Sequence, residues 1–405
     1  VFCGLPSWIT KFERNESNLW TDRLSHFELP PQWSTMREAA RIEQETGRQI
    51  IHMEKGDYVS PEFMPPAESF AAIARSLRQG YVRYSPGPGL WELREALAEE
   101  MSRRGRPTIP EEIIVTPGAK FGIMATLLLF LDDGDEVIMP DPGYPPDEFW
   151  ARYLRARIKH IAFRDPRRID TEQLAKMITP RTKLLVLNSP QRPNGQLIEN
   201  IEEIAEVMLR FPHVTIASDE IFSKMVYKPF VHRSLSYLPE LRERTVVIDT
   251  FSKSYVMTGL RIGWVTAPLK LAEKYNILLQ NSCTNVSTII QEAALAALQA
   301  PASYYENWLA LLTRKRDLAY KLLAECKQLQ TDIPQGSFYL FSKLPEGVDD
   351  REAVRRLLRR GVAVVPGSAF GPAGAGHIRL TFTLEDDILA EGIRRLAAEL
   401  ASLQG

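Results

Sequence analysis

Cysteine is scarce in this chain. Three occur in 405 residues, Cys3, Cys283 and Cys326, too few and too scattered for a disulfide framework or a metal cluster, so a reducing compartment fits best. The six histidines show no metal-ligand spacing, which leaves no metal site to expect. Net charge is nearly absent as well. Lys+Arg 50 against Asp+Glu 51 gives a formal net charge of -1, so no global basic field draws the chain to nucleic acid or to an anionic membrane. A small molecule is the expected partner. No apolar run approaches the length of a membrane span, and the stretch VFCGLPSWITKFERNESNLW lacks a basic segment followed by an apolar core. A cytoplasmic location is the expectation. Internal repeats and low-complexity tracts are missing too, so organisation has to come from the alternation of element types.

What the chain does have is length and alternation. Its 405 residues are enough for two domains with sizeable cores. From about residue 112 onward, short Val- and Ile-rich runs recur: EIIVTPG, EVIMPDPGY, KHIAF, KLLVLNSP, VTIASDE, TVVIDTFSK and RIGWVTAP. Each reads as a buried strand. Helical patterns such as AKFGIMATLLLFL and IENIEEIAEVMLRF lie between most of them, which makes βαβ units and a mostly parallel, seven-stranded sheet covered by helices. Near residue 300 the texture changes. A long helical YYENWLALLTRKRDLAYKLLAE, short strands around GSFYLFSKL, VAVVPG and HIRLTF, and a closing helix DILAEGIRRLAAELASL read as a smaller α+β domain. The first fifty or so residues are polar and irregular apart from a helix near STMREAARIEQ, and read as an arm. The expected division is 1–60 for the arm and part of the small domain, 61–295 for the large α/β domain, and 296–405 for the small one.

Ligands of open α/β sheets sit outside the carboxyl ends of the strands. Here those ends are polar and specific. One strand runs into TPGAK, Thr116 to Lys120, and opens a helix whose free N–H groups and dipole suit a phosphate. Another ends in SDE and places Asp219 at the mouth. A third ends in TFSK and places Thr250, Ser252 and Lys253 there, with Arg261 beyond. Each feature alone has an ordinary explanation: a glycine chosen for its φ angle, an aspartate capping a turn, a solvated lysine. Together they meet three demands at once. A lysine amine forms a Schiff base with an aldehyde, and a pyridine-type cofactor also needs a carboxylate at its ring nitrogen and an anion site for its phosphate.

With these residues, the sequence resembles the class I/II aminotransferases, the fold type I pyridoxal-phosphate enzymes, from about Gly56 to the end. SKSYVMTGLRIGW is similar to the family's lysine signature. This implies that Lys253 carries the cofactor aldehyde, with Thr250, Ser252 and Arg261 on the phosphate. Gly118, Ala119 and Lys120 look like the phosphate-cup turn. PDPGYP puts Tyr144 where the family stacks an aromatic ring on the cofactor, and Asp219 matches the aspartate that keeps the pyridine nitrogen protonated. YVRYSPGPGLWELREAL resembles the segment whose tyrosine, here Tyr84, reaches the phosphate of the neighbouring subunit. GSAFGPAGAGHIRLTF resembles the C-terminal signature whose arginine, here Arg379, clamps the substrate α-carboxylate. Gly56 matches a substrate-side glycine. The resemblance thus implies pyridoxal 5′-phosphate as cofactor and a homodimer with shared active sites. The implied chemistry runs through an external aldimine and a quinonoid of an α-amino acid, with transfer of the amino group to a 2-oxo acid as the default outcome.

Two residues depart from the family pattern. NSPQRPNG has Arg192 where an asparagine usually bonds the cofactor's phenolic oxygen, and Phe222 stands where a tyrosine usually donates to the same oxygen. Exchanging a neutral donor and a phenol for a permanent cation favours the phenolate; alternatively Arg192 swings away and grips an acidic part of the substrate. These changes motivate a second reading. In it, a biosynthetic enzyme that does not transaminate carries out β- or γ-elimination or replacement, C–C bond formation or oxidative deamination on an unusual amino acid, for example one bearing sulfur or sulfonium. A remote third reading is a cofactor-binding sensor, which would need an attached DNA-binding domain. His377 reads as a strand residue beside Arg379, and REAVRRLLRR as an amphipathic helix with a solvated basic face.

Overall fold

The computed structural model describes Leu24, Phe27 and residues 31 to 402. Residues 1–23 of the expected arm, Cys3 among them, lie outside the described residues. At the centre is a seven-stranded sheet in the order Ile113–Thr116, Gly263–Thr266, Thr245–Thr250, Thr215–Asp219, Thr182–Asn188, Glu136–Pro140, Arg157–Ile161. Gly263–Thr266 runs antiparallel to both of its neighbours and the other pairs are parallel. The expected mostly parallel sheet is therefore the observed one. Its strands read as unbroken apolar runs because both faces are covered. Along Glu136–Pro140 and Thr182–Asn188 the side chains alternate between two cores. Val137, Met139, Leu184 and Val186 pack with Phe121, Ile123 and Tyr275 from helices Ala119–Phe130 and Leu269–Ser282. Ile138, Leu185 and Leu187 pack with Leu174, Ile204 and Met208 from helices Thr171–Met177 and Ile201–Leu209.

A four-stranded antiparallel sheet follows, in the order Gln330–Thr331, Tyr339–Lys343, His377–Thr381, Val365–Pro366. Helices Ala302–Ala324, Asp350–Arg359 and Asp386–Ala401 accompany it. Its core takes in Met53 and Phe63 from upstream and Ile221, Phe222 and Met225 from the segment after Asp219. That shared core ties the mouth of the large sheet to the small one. Asp350–Arg359 buries Ala353, Val354, Leu357 and Leu358 and leaves Arg355 and Arg359 outward, as an amphipathic helix should. Helix Pro31–Thr46 is the helix expected near STMREAARIEQ; Ala39 packs against Leu358 and Ala363.

Candidate active site

Strand Thr245–Thr250 passes directly into one helical turn, Phe251–Ser254. The Thr250 hydroxyl caps that turn. It accepts the Ser252 N–H at 3.1 Å, donates to the Ile262 carbonyl at 2.8 Å, and lies 3.0 Å from the Ser252 hydroxyl. The turn projects Lys253 across to the segment before the large sheet, where its Nζ donates to the Gly56 carbonyl at 2.5 Å. The Tyr58 hydroxyl donates to the Lys253 carbonyl and holds the turn from the same side. Burial pulls the Lys253 ammonium down to about 7, opposed by Asp57 and helped by the positive charges of Arg192, Arg379 and Arg261. A free amine, the nucleophilic form, is thus available near neutral pH.

Two loops meet at one end of the site. Gly118 precedes helix Ala119–Phe130 with φ 79° and ψ 166°, a conformation that only glycine adopts freely. A Cβ there would lie 2.6 Å from Arg261 Nη2, so the guanidinium rests on the bare glycine at the helix start. Arg261 is held by a donor bond to the Thr258 carbonyl at 2.7 Å. Lys120 in the first turn is exposed as a residue; partial desolvation of its ammonium lowers its pKa, and Arg261 and Arg192 add to the effect. Two cations, a hydroxyl and a helix N-terminus converge there, which suits a dianion.

Asp219 closes strand Thr215–Asp219 and is buried. Burial pushes its carboxyl up and the Arg192 guanidinium pulls against that. Arg192 donates to the Asp219 carboxylate and stacks its guanidinium carbon 3.6 Å from the Tyr144 ring centroid. A slot between Tyr144 and Asp219 therefore accepts a planar cation. Behind it lies Asp147, buried, with its carboxyl pushed up to about 7 by burial, Arg192 opposing and Asp219 adding. Phe222 packs edge-on against Phe338 and Tyr339 in the small-sheet core, 5.9 Å from the Arg192 guanidinium.

Arg379 sits in strand His377–Thr381. It is buried, donates from Nη2 to the Glu54 carbonyl at 2.5 Å, and lies 4.3 Å over the Tyr339 ring. Burial lowers its pKa, and its Nε has no acceptor. Gly56 faces it across Tyr339: a Cβ at Gly56 would lie 2.7 Å from the Tyr339 hydroxyl, so any side chain there would close the approach.

One cavity of about 550 Å³ brings these groups together, with Gly56, Ala119, Lys120, Tyr144, Arg192, Phe222, Thr250, Ser252, Lys253, Arg261 and Arg379 on its wall. Gly118 supports Arg261 from behind, and Asp219 reaches the site through the Arg192 pair. Tyr84 is not brought in; it is 86% exposed on the surface of the chain. Sequence reasoning missed Tyr339, Asp57, Tyr58 and Asp147, and it missed Trp33 and Met36, which helix Pro31–Thr46 lends to the cavity wall. Asp57 and Tyr58 adjoin Gly56 and were within reach of a wider reading of EKGDY; the others carry no local signal. His377 is a strand residue, stacked flat on Phe341 at 4.7 Å. The donor set fits a phosphorylated, aldehyde-bearing cationic ring: an anion site, an amine near neutrality and a slot for a planar cation. Among the described residues, no cluster of three or more His, Cys, Asp or Glu is placed to hold a metal ion, and no helix is long and apolar enough to cross a membrane.

This is the site of a fold type I transferase, and comparison with known proteins agrees. Residues 48–396 match the family described as aminotransferase class I and II. The chain is 35% identical over 376 residues to the arginine–pyruvate transaminase of Pseudomonas aeruginosa, covering 91% of this chain and 94% of that protein. It is 33% identical over 375 residues to an aspartate aminotransferase of Geobacillus stearothermophilus, covering 89% and 93%. Among solved structures, an alanine aminotransferase from Pyrococcus furiosus superposes with a TM-score of 0.88 at 29% identity, covering 95% of this chain and 100% of the other. The chain belongs to the class I and II aminotransferases, a family that uses pyridoxal phosphate, and it is an amino-group-transferring enzyme. The reading as a non-transaminating biosynthetic enzyme is not favoured.

Proposed function

We propose that this enzyme holds pyridoxal phosphate in the 550 Å³ cavity and moves the amino group of an α-amino acid to a 2-oxo acid. The observation that carries this is the Lys253 amine, near neutrality and set in one cavity with an anion site, a planar-cation slot and a buried guanidinium, that of Arg379, whose Nε has no acceptor. When bound, the cofactor supplies an aldehyde for a primary amine and a ring that withdraws electrons from the substrate Cα. The chain does the rest. Ser252, Arg261, Lys120 and the N–H groups after Gly118 hold the phosphate, and the Thr250 hydroxyl orients Ser252. Tyr144 and Asp219 hold the ring, the carboxylate favouring a proton on its nitrogen. Arg379 takes the substrate α-carboxylate through a planar two-point contact. Lys253, with its amine free, would accept and return a proton at Nζ beside the substrate Cα.

Tyr84 belongs to the same proposal through a second copy of the chain. It stands 86% exposed with Tyr81, Val82 and Trp91 nearby in sequence, all exposed. Such a patch supports a homodimer in which each Tyr84 reaches the other subunit's phosphate. The test is the visible spectrum of the purified protein before and after adding single amino acids, with products identified by mass spectrometry. Loss of the aldehyde band, restored by a 2-oxo acid, is the expected result. Regeneration of the aldehyde form with a new bond at Cβ or Cγ and no 2-oxo product would refute it.

A further inference from the structure

Arg192 and Arg379 are two buried guanidinia on the wall of one cavity, and each keeps an Nε without an acceptor. Arg379 is accounted for by the α-carboxylate in the reading above, on which the following rests. Arg192 is not. Its guanidinium lies in contact with the face of Tyr144 and donates to Asp219. A cationic ring needs that same face and that same carboxylate, and at 3.6 Å nothing fits between the guanidinium and Tyr144. The two cations exclude each other.

A ring that takes the slot releases a buried group that stays charged at any working pH, and a buried charge without a partner is costly. The Arg192 backbone is pinned, because its N–H donates to Asn188 Oδ1 at 2.8 Å and the Asn188 amide donates to the Asp219 carbonyl at 2.9 Å. The side chain, not the loop, has to relocate. Around it stand the cations Lys120, Lys253 and Arg379 and the carboxyls Asp147 and Asp219. Asp147, with its carboxyl at about 7, is only partly ionised near neutrality. The missing counter-charge is one that the substrate brings.

We propose that Arg192 is exchanged between Asp219 and the distal carboxylate of a dicarboxylic substrate, and that this exchange couples retention of the cofactor to binding of the substrate. Drawing Arg192 onto a distal carboxylate removes the ring's competitor for Asp219. A dicarboxylate therefore tightens the hold on the cofactor, and by reciprocity the cofactor tightens the hold on the dicarboxylate. A monocarboxylate engages Arg379 alone and leaves Arg192 competing.

The test times loss of the visible band from the full chain loaded with pyridoxal phosphate, in the presence of a phosphatase that consumes what is released. Succinate, propionate or no added acid is present. Succinate is expected to slow release by roughly tenfold relative to propionate, and Arg192→Asn to abolish that difference, with Arg192→Lys in between because an ammonium lacks the planar fork. Equal rates with succinate and propionate in the unaltered enzyme would overturn the proposal, as would a succinate effect that survives Arg192→Asn. Both of those results leave the cofactor reading standing. A purified chain that takes up no pyridoxal phosphate sinks both.

Discussion

Replacing Gly118 by alanine would place a methyl group 2.6 Å from Arg261 Nη2, in a backbone conformation of φ 79° and ψ 166°. Two costs follow. The backbone term is about 1–3 kcal/mol, because that region is essentially reserved for glycine. The second term falls on the ligand. The methyl pushes Arg261 off the helix start, and a hydrogen bond to a charged group contributes about 1.5–3 kcal/mol, or roughly ten- to a hundredfold in affinity. Equilibrium binding of pyridoxal phosphate and of pyridoxal separates these terms. Both ligands offer the aldehyde and the ring, and only one offers the phosphate. Gly118→Ala is expected to weaken pyridoxal phosphate by that factor while leaving pyridoxal within about twofold. If both weaken equally, the substitution acts through the fold; if neither weakens, Arg261 does not hold the phosphate. Either result refutes the assignment of this turn.

Lys253 bears on pH dependence. Because its ammonium is lowered to about 7, the free-amine fraction falls roughly tenfold per pH unit below that point and levels off above it. The rate of aldehyde capture by the stripped enzyme, followed in the visible, is expected to trace that curve and to vanish in Lys253→Ala. Arg104 pairs with Asp249 at 2.6 Å, one residue before Thr250, and both are buried or nearly so. Arg104→Ala leaves the buried Asp249 carboxylate without its cation, although the Thr250 N–H and the Ser223 hydroxyl still donate to it, and is expected to cost about 3–5 kcal/mol in urea unfolding. Burial already pushes Asp249 up to about 6 against the pull of Arg104. The folded chain thus keeps a proton that the unfolded chain loses, and stability falls as pH rises through that window. Without Arg104 the window reaches higher, so the loss should be greater at about pH 8 than at about pH 5; an equal loss counts against the pairing. Mixing Tyr84→Ala subunits with Lys253→Ala subunits is expected to recover activity that neither has alone, because one site of each mixed dimer keeps both residues. No recovery would place Tyr84 outside the site.

The strand ends were legible because their chemistry is local. Asp219, Thr250, Ser252 and Lys253 each follow an apolar run within five residues, and such a run is recognisable as a buried strand in a parallel sheet. Gly118 was legible for the same reason, since a glycine between a strand and a helix marks a special φ. Nothing local marks Tyr339 as the wall behind Gly56, Trp33 as a lining residue, or Asp147 as a buried acid behind Asp219. Those roles come from elements far apart in the chain, and a helical periodicity says which face is apolar without saying what it meets.

Arg192 shows the division most clearly. The sequence alone determined that a permanent cation stands where the resembled family has an amide, and that Phe222 stands where it has a phenol. It determined the apolar strand runs, the lysine turn and the glycine turn that opens a helix at Ala119, because each depends on residues within a few positions of one another. Only the tertiary structure decided where the cation goes. The Thr182–Asn188 and Thr215–Asp219 strands lie side by side in the sheet with Asn188 opposite Asp219, and Tyr144 approaches from a third strand end. That brings a guanidinium, a carboxylate and an aromatic face into one slot. Adjacency across a sheet is set by packing of whole layers, and no single stretch of chain carries it.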